Sequence, residues 1–185
     1  MKSIWENADK YWDIDRLGTK FWPSLPTGIT IHYTADNNMD RVKRYMDMKG
    51  IGYHFIIDYD GSLHQTANLL KAVNHAGKAI WNGQSPNRTH IAIAFVSWGL
   101  LNSDSLAWNG SKVVGVKRRG HLWDAATPEQ EERLSTLVRQ LMREFAISAA
   151  NVCGHDEAAL PQGRKVDPGG SLKLSMTDFR KAISL

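Results

Sequence analysis

The chain has almost no cysteine, with Cys153 the only one among 185 residues. A single cysteine cannot form a disulfide within the chain, which excludes the disulfide-stapled scaffolds of small secreted domains. We therefore expect synthesis in a reducing compartment. Because 42% of the residues are hydrophobic, a chain of this length can bury a core of its own and fold as one domain.

Long apolar runs are also missing. No segment approaches the roughly 20 apolar residues that a membrane-spanning helix requires. Residues 1–7 contain no apolar stretch of the length found in signal peptides. The sequence therefore predicts no membrane span and no export by a signal peptide, and it favours the cytoplasm as the location of the newly made chain.

The charge is moderately basic, with a formal net charge of +4 and an isoelectric point near 9.2. This charge favours contact with anionic cell-wall polymers, lipid head groups or nucleic acid, although a basic surface without any such partner explains it equally well. Residues 117–119 are the only true basic run, and no repeated aromatic residues interleave with basic ones. We therefore do not expect nucleic-acid binding.

Strand and helix patterns succeed one another along the chain. Strands are predicted over residues 27–34 and 90–96, a hairpin over 53–57 and 62–66, and helices over 38–48, 128–146 and 176–183. This order predicts an α/β fold in which a mixed central sheet is flanked by helices. Residues 99–121, rich in Gly, Ser and Asn before turning basic, read as an insertion with an exposed strand over 111–117.

Two distant segments place metal-ligating side chains after apolar, strand-like runs. His32 follows one run, and His155 and Asp167 share a loop rich in turn-forming residues. Two imidazoles and one carboxylate are the ligand count of a catalytic zinc site with its fourth position open to water. Taken singly, however, each histidine is equally well explained as a core or surface residue, and Asp167 as a turn residue before proline.

Four motifs, written here in chain order, carry more information together than apart: Ile-His-Tyr-Thr-Ala, Gly-Tyr-His-Phe-Ile-Ile, Asn-His-Ala-Gly and Gly-Arg-Lys-Val-Asp-Pro-Gly. Over residues 24–170 the chain resembles the zinc-dependent N-acetylmuramoyl-L-alanine amidases. That family includes phage lysozyme-like amidases, peptidoglycan-recognition proteins and anhydromuropeptide-recycling amidases. The resemblance implies the fold of that family, Zn²⁺ as the cofactor, and peptidoglycan or a muropeptide as the substrate.

The resemblance also implies roles for individual side chains. The zinc ligands would be His32, His155 and Asp167. Lys165 would stabilise the oxyanion that forms on the scissile carbonyl, and Tyr53 would orient or deprotonate the attacking water. His75 would border the substrate groove without binding zinc.

Two features depart from the pattern of the family. Recycling amidases carry a glutamate in the central strand as a candidate general base, where this chain has Ala94. The loop from His155 to Lys165 is two residues longer than usual, which would alter the metal geometry or the groove. Phage members also lack the glutamate, and the stretch around Trp98 together with the following insertion resembles theirs.

The resemblance leaves three functions open. We expect a phage or prophage lysis enzyme that cuts between N-acetylmuramic acid and L-alanine, acting on the periplasmic wall after release from the cytoplasm. The alternatives are a cytoplasmic recycling amidase, which Ala94 disfavours, and a non-catalytic module that binds peptidoglycan or a protein, which the complete ligand set disfavours. We expect residues 1–185 to form a single, monomeric catalytic domain without a separate wall-binding domain.

Overall fold

The computed structural model describes residues 5–12, 18, 20–21 and 25–184. The prediction of no signal peptide concerns residues 1–7, and of these residues 1–4 lie outside the described part. The strands are β1 (Lys10–Tyr11), β2 (Lys20–Phe21), β3 (Gly28–Tyr33), β4 (Phe55–Ile57), β5 (Leu63–Gln65), β6 (Lys71–Ala72), β7 (His90–Phe95), β8 (Leu100–Leu101), β9 (Val116–Arg118), β10 (His121–Trp123) and β11 (Val152–Gly154). The helices are α1 (Met39–Lys49), α2 (Pro86–Thr89), α3 (Pro128–Phe145), α4 (His155–Ala158) and α5 (Met176–Ile183).

Six of these strands form the central sheet in the order β1-β5-β4-β7-β3-β11. The hairpin pair β4 and β5 is antiparallel, and the other neighbouring strands are parallel. The predicted mixed sheet is thus observed. Strand β7 lies inside the sheet with all six residues buried, as expected for a continuous apolar run covered on both faces.

The two faces of the sheet pack against different helices because side chains alternate along each strand. On one face, Ile91, Ile93 and Phe95 of β7 join a core with α3 and α5. On the other face, Ala92 packs with Val42 and other residues of α1. In β3, the side chains of Ile29 and Ile31 belong to the α3 face, so alternation directs His32 towards the α1 side.

Helix α1 begins and ends within one residue of the span predicted from the sequence, 38–48. The side chain of Asn38 caps it by accepting a hydrogen bond from the backbone N–H of Arg41. Gly50 ends the helix in the left-handed conformation, with φ of 62°, a position that glycine occupies without steric cost.

Helix α3 starts with a capping box. Thr127 Oγ1 accepts a hydrogen bond from the backbone N–H of Gln130, and Gln130 Oε1 accepts one from the backbone N–H of Thr127. The buried Gln130 amide also donates to the carbonyl oxygens of Ile57 and Val96. The cap therefore joins the start of α3 to the ends of two central strands.

The predicted strand over residues 111–117 is wrong in position. The observed strand is β9, residues 116–118, which pairs with β10 in a three-stranded antiparallel sheet with β8. Arg119 and Gly120, with φ of 50° and 81°, form the two-residue turn between these strands. Positive φ at both positions is typical of the hairpin turns that match strand twist, so the turn sets the strand boundaries.

In the part of the chain that the structure describes, no helix combines the length and apolar character needed to cross a membrane.

Candidate active site

Two parallel strands bring the two predicted histidine ligands together. His32 is the penultimate residue of β3, and His155 directly follows β11. These strands are neighbours, with Gly154 paired to Ile31. Both imidazoles therefore lie at the carboxyl edge of the sheet, where ligands bind in open α/β folds.

Asp167 completes the predicted set. Its Oδ2 lies 2.9 Å from His32 Nδ1 and 3.0 Å from His155 Nδ1. All three side chains are buried, and their ligating atoms lie within 4.8 Å of one another. The backbone N–H of Asp156 donates to the Asp167 carbonyl over 2.7 Å, which closes the loop that carries the carboxylate.

Hydrogen bonds at Nε2 of His155, His75 and His32 determine which nitrogen of each ring carries a proton. His155 Nε2 lies 2.9 Å from the carbonyl oxygen of Ala76, and this nitrogen must be protonated because a carbonyl oxygen only accepts. For the same reason His75 Nε2 donates to Pro86 O over 3.1 Å. A neutral His75 then accepts at Nδ1 from His32 Nε2, 2.9 Å away.

Burial keeps His32 and His75 neutral near pH 7. It lowers the pKa of His32 to about 4, outweighing the attraction of Asp167. Burial, followed by the charge of His32, likewise lowers the pKa of His75 well below its ordinary value.

Because Nε2 of each ring is engaged in a hydrogen bond, Nδ1 is the nitrogen that His32 and His155 can offer to a metal. Both Nδ1 atoms face Oδ2 of the ionised Asp167. A cation among these three atoms would be bound by all of them. The separations of 2.9 and 3.0 Å are close to the roughly 3.3 Å between ligand atoms of a tetrahedral zinc site. The donor set therefore fits a zinc ion.

Two residues that the sequence analysis missed hold the surrounding loops. The Asn87 side chain accepts from the backbone N–H groups of His75 and Ala76 over 2.9 and 2.8 Å, and it donates to the Gly77 carbonyl. Arg164 donates to the Ala76 carbonyl over 3.0 Å and to two others nearby. These bonds therefore hold the Ala76 carbonyl in the position where it accepts the hydrogen bond from His155 Nε2. The Asn-His-Ala-Gly motif gave the signal for His75 but none for these partners.

Tyr53 lies beside the cluster. Its ring centroid is 5.1 Å from that of His32, and its hydroxyl donates to the Tyr33 carbonyl over 3.5 Å. Burial is the largest of the causes that raise its pKa above the ordinary value. Tyr53 therefore meets the site as a protonated donor.

Lys165 is exposed and lines a second cavity of about 300 Å³, together with Asp156 and the β9–β10 hairpin. Its charge contributes a little to lowering the pKa of His32. Burial, with the charges of Glu157 and Asp167, raises the pKa of Asp156 to about 7. The role of Lys165 at an oxyanion stays a prediction.

Ala94 lies directly beside His32 across the parallel pair of β7 and β3, and it is fully buried. The central strand thus brings no carboxylate to this position. The histidines without an assigned role lie elsewhere: His90 hydrogen-bonds to Thr30, His64 to Ser62, and His121 is exposed.

A groove of about 710 Å³ lies along α1. Tyr53 and His75, which contact His32, line it, and Trp108 of the predicted insertion contributes to its wall. His75 therefore both lines the groove and hydrogen-bonds to His32, while its role at a substrate stays a prediction.

Comparison with known sequences identifies the family. The profile of the N-acetylmuramoyl-L-alanine amidases matches residues 23–170, which is most of the chain. The chain belongs to the N-acetylmuramoyl-L-alanine amidase family. Membership confirms the resemblance seen in the four motifs and the enzyme class that it implies.

A Rickettsia conorii protein, named as an N-acetylmuramoyl-L-alanine amidase, is 30% identical over 74 residues, or 39% of this chain. That match spans 28% of the relative's length.

Solved structures share the fold. AmpD, solved as a selenomethionine derivative, has a TM-score of 0.66 at 19% identity, over 100% of this chain and 98% of AmpD. LysC from Clostridium intestinale has a TM-score of 0.62 at 20% identity, over 91% and 93%. E. coli AmiD, in complex with anhydro-N-acetylmuramic acid-L-Ala-D-gamma-Glu-L-Lys, has a TM-score of 0.66 at 22% identity, over 86% and 58%. The predicted fold class is confirmed.

Proposed function

We propose that this chain is a zinc-dependent hydrolase of the amide bond between N-acetylmuramic acid and L-alanine in peptidoglycan. The observation that carries the proposal is the convergence of the ligating atoms of His32, His155 and Asp167 in one buried cluster. Family membership supplies the substrate class. The muropeptide bound by AmiD is the kind of substrate that we assign to this chain.

The protein's own residues have separable roles in this proposal. His32, His155 and Asp167 would hold the ion, while His75 and the Ala76 carbonyl keep both imidazoles in the tautomer that leaves Nδ1 free. When bound, zinc supplies Lewis acidity towards the scissile carbonyl and an acidified water.

Two further side chains act on the substrate. The protonated hydroxyl of Tyr53 positions the attacking water or the carbonyl by donating a hydrogen bond. The Lys165 ammonium neutralises the charge that develops on the carbonyl oxygen. In this structure Lys165 lies on the second cavity, so its role requires the side chain to turn towards the groove when substrate binds.

The direct test is digestion of purified sacculi, with mass spectrometry of the products and quantification of zinc in the same protein sample. We expect stem peptides beginning with free L-alanine, glycan strands with intact lactyl groups, and about one zinc per chain. His32→Ala and Asp167→Ala should lose both zinc and cleavage, whereas His121→Ala, which removes an exposed histidine, should lose neither. Cleavage by metal-free Asp167→Ala would refute the proposal, and wall binding without zinc or cleavage would favour a recognition module.

We further propose that the cleavage serves cell lysis by a phage or prophage, with a monomer made in the host cytoplasm and acting on the periplasmic wall after release. Support comes from Ala94, which leaves the central strand without a carboxylate, and from the basic hairpin over residues 116–123. A turbidity assay on chloroform-treated Gram-negative cells tests this role. Strong preference for soluble anhydromuropeptides over intact sacculi would instead assign the enzyme to recycling.

A further inference from the structure

We propose that the groove along α1 binds the acidic stem peptide of the substrate, with Arg44 holding one of its carboxylates and Trp108 forming the opposite wall. This inference rests on the proposed function, because it concerns the substrate of the same site. It assigns a specificity role to two residues that the four sequence motifs do not include.

The groove adjoins the candidate metal site. Tyr53 and His75, which both contact His32, also line the groove. This is where we place one of the two arms of a substrate whose scissile amide lies at the His32 cluster. The choice between the sugar arm and the peptide arm depends on the chemistry of the groove walls.

One wall is a face of helix α1. Arg41, Arg44, Tyr45 and Met48 all line the groove, and their spacing of three, four and seven residues places them on one side of the helix. The wall thus offers an apolar surface with two guanidinium groups above it.

The two arginines are not equivalent. Arg41 forms an ion pair with Asp36, at 2.6 and 3.0 Å, and also donates to Asn37. Its hydrogen-bonding capacity is therefore directed back to its own chain. Within residues 25–184, no carboxylate forms an ion pair with Arg44. Arg44 is thus the cation of the groove that is available to an anionic ligand.

The facing wall is Trp108. Its side chain is 74% exposed, yet the ring is held in place because Nε1 donates to the Ala35 carbonyl over 2.7 Å. The ring also meets the buried Trp98 edge to face, with centroids 6.2 Å apart. A rigid exposed indole gives a ligand a large contact surface at low entropic cost.

The peptide arm fits these walls better than the sugar arm. In a muramoyl peptide the lactyl carboxyl is consumed in the amide bond, so the sugar carries no charge. A γ-linked glutamate keeps its α-carboxylate, and the last residue of the peptide keeps its own. Arginine pairs with carboxylates through two parallel hydrogen bonds, and the alkyl parts of the peptide match the apolar surface of Tyr45 and Met48.

The experiment compares hydrolysis of N-acetylmuramoyl-L-Ala-D-γ-Glu-L-Lys with that of its analogues amidated at the glutamate α-carboxylate or at the C-terminus. The unmodified enzyme should prefer the free acid over at least one amide by about ten- to a hundredfold in kcat/KM, mainly through KM. Arg44→Gln should lose that preference. Lys49→Gln, an equal loss of charge on the same helix away from the groove, should keep it. If Arg44→Gln preferred the free acid over the amides as strongly as the unmodified enzyme does, the role of Arg44 would be overturned.

Calorimetric binding of the free peptide L-Ala-D-γ-Glu-L-Lys separates this inference from the proposed function. Binding that Arg44→Gln abolishes, in a protein that cleaves nothing, would reject the hydrolase and retain the peptide site. Cleavage of the substrate together with peptide binding that Arg44→Gln does not change would retain the hydrolase and reject the peptide site.

The Trp108 wall has its own variants. Trp108→Ala should raise KM about tenfold with unchanged zinc content, and Trp108→Phe, which keeps a ring but loses the bond to Ala35, should fall in between. Val114→Ala is the control, since Val114 is 93% exposed on the same insertion and does not line the groove. An unchanged KM in Trp108→Ala would remove Trp108 from the site.

Discussion

His75 lines the groove and contacts the candidate metal site, because its Nδ1 accepts a hydrogen bond from His32 Nε2. Without this acceptor, His32 should less often adopt the tautomer that is protonated at Nε2 and leaves Nδ1 free to bind a metal. We expect His75→Ala to weaken zinc binding by about ten- to a hundredfold, as measured by competition with a chromogenic chelator. His75→Asn, whose amide oxygen can replace Nδ1 as an acceptor, should recover part of the loss. Unchanged zinc affinity in His75→Ala would restrict the residue to the groove.

His54 shows how burial of a single side chain affects stability. It is fully buried; Nδ1 accepts from the backbone N–H of Ala92, and Nε2 donates to the Lys71 carbonyl. Burial lowers its pKa from 6.5 to about 4. Between these values the unfolded chain binds a proton that the folded chain does not, so stability falls as pH decreases from 6.5 to about 4 and His54 adds no further loss below that.

The shift corresponds to a loss on the order of 3 kcal/mol in the free energy of unfolding. Urea unfolding at several pH values measures it. His54→Gln should be less stable at pH 7 but should show a smaller decrease between pH 6.5 and 4. An identical pH dependence in both proteins would show that His54 does not set it.

At the scale of elements, the β9–β10 hairpin braces the loop that carries Asp167. Arg118 donates to the carbonyls of Gly170 and Ser171, and Arg119 donates to that of Gly169. Trp123 packs so closely on this loop that a Cβ built on Gly170 would lie 2.3 Å from the indole Nε1. Two residues of the basic run 117–119, Arg118 and Arg119, therefore stabilise this loop of the same chain.

We expect Gly170→Ala to destabilise the protein by about 1–3 kcal/mol, because the added methyl group must displace Trp123. Urea unfolding measures the change. In a Trp123→Leu background the smaller side chain leaves room, so the same substitution should cost less, and the difference is the coupling energy. If the two substitutions lowered the free energy of unfolding additively, the contact between Gly170 and Trp123 would not be what makes Gly170→Ala destabilising.

The elements also show how far the sequence predicts this protein. Periodicity located α3 and α5 nearly to the residue because one face of each helix is buried, and the motifs located the three clustered side chains that we propose as ligands. Strand β9 was misplaced because Arg119 adopts positive φ, which arginine does not signal. The contact between His32 and His75 was missed because the loop of His75 is held by Asn87 of α2, a partner that the motif containing His75 does not include.

At the scale of the whole molecule, the candidate metal site joins distant parts of the chain. His32 and Asp167 are 135 residues apart, so the unfolded chain cannot present the complete set of ligands. A metal that binds only the folded state stabilises it by mass action. Zinc at a hundred times its dissociation constant should therefore add about 2.7 kcal/mol, which for a chain of this size corresponds to a rise in Tm of about 5–10 °C.

Thermal unfolding of chelator-treated protein, with and without added zinc, measures this effect. Asp167→Ala should show no rise in Tm with zinc, because one of the three ligands is missing. Asp104→Ala, which removes an exposed carboxylate from the insertion, should respond as the unmodified protein does. A zinc-induced rise of equal size in Asp167→Ala would mean that the ion binds elsewhere, and the clustering of His32, His155 and Asp167 would then need a different explanation.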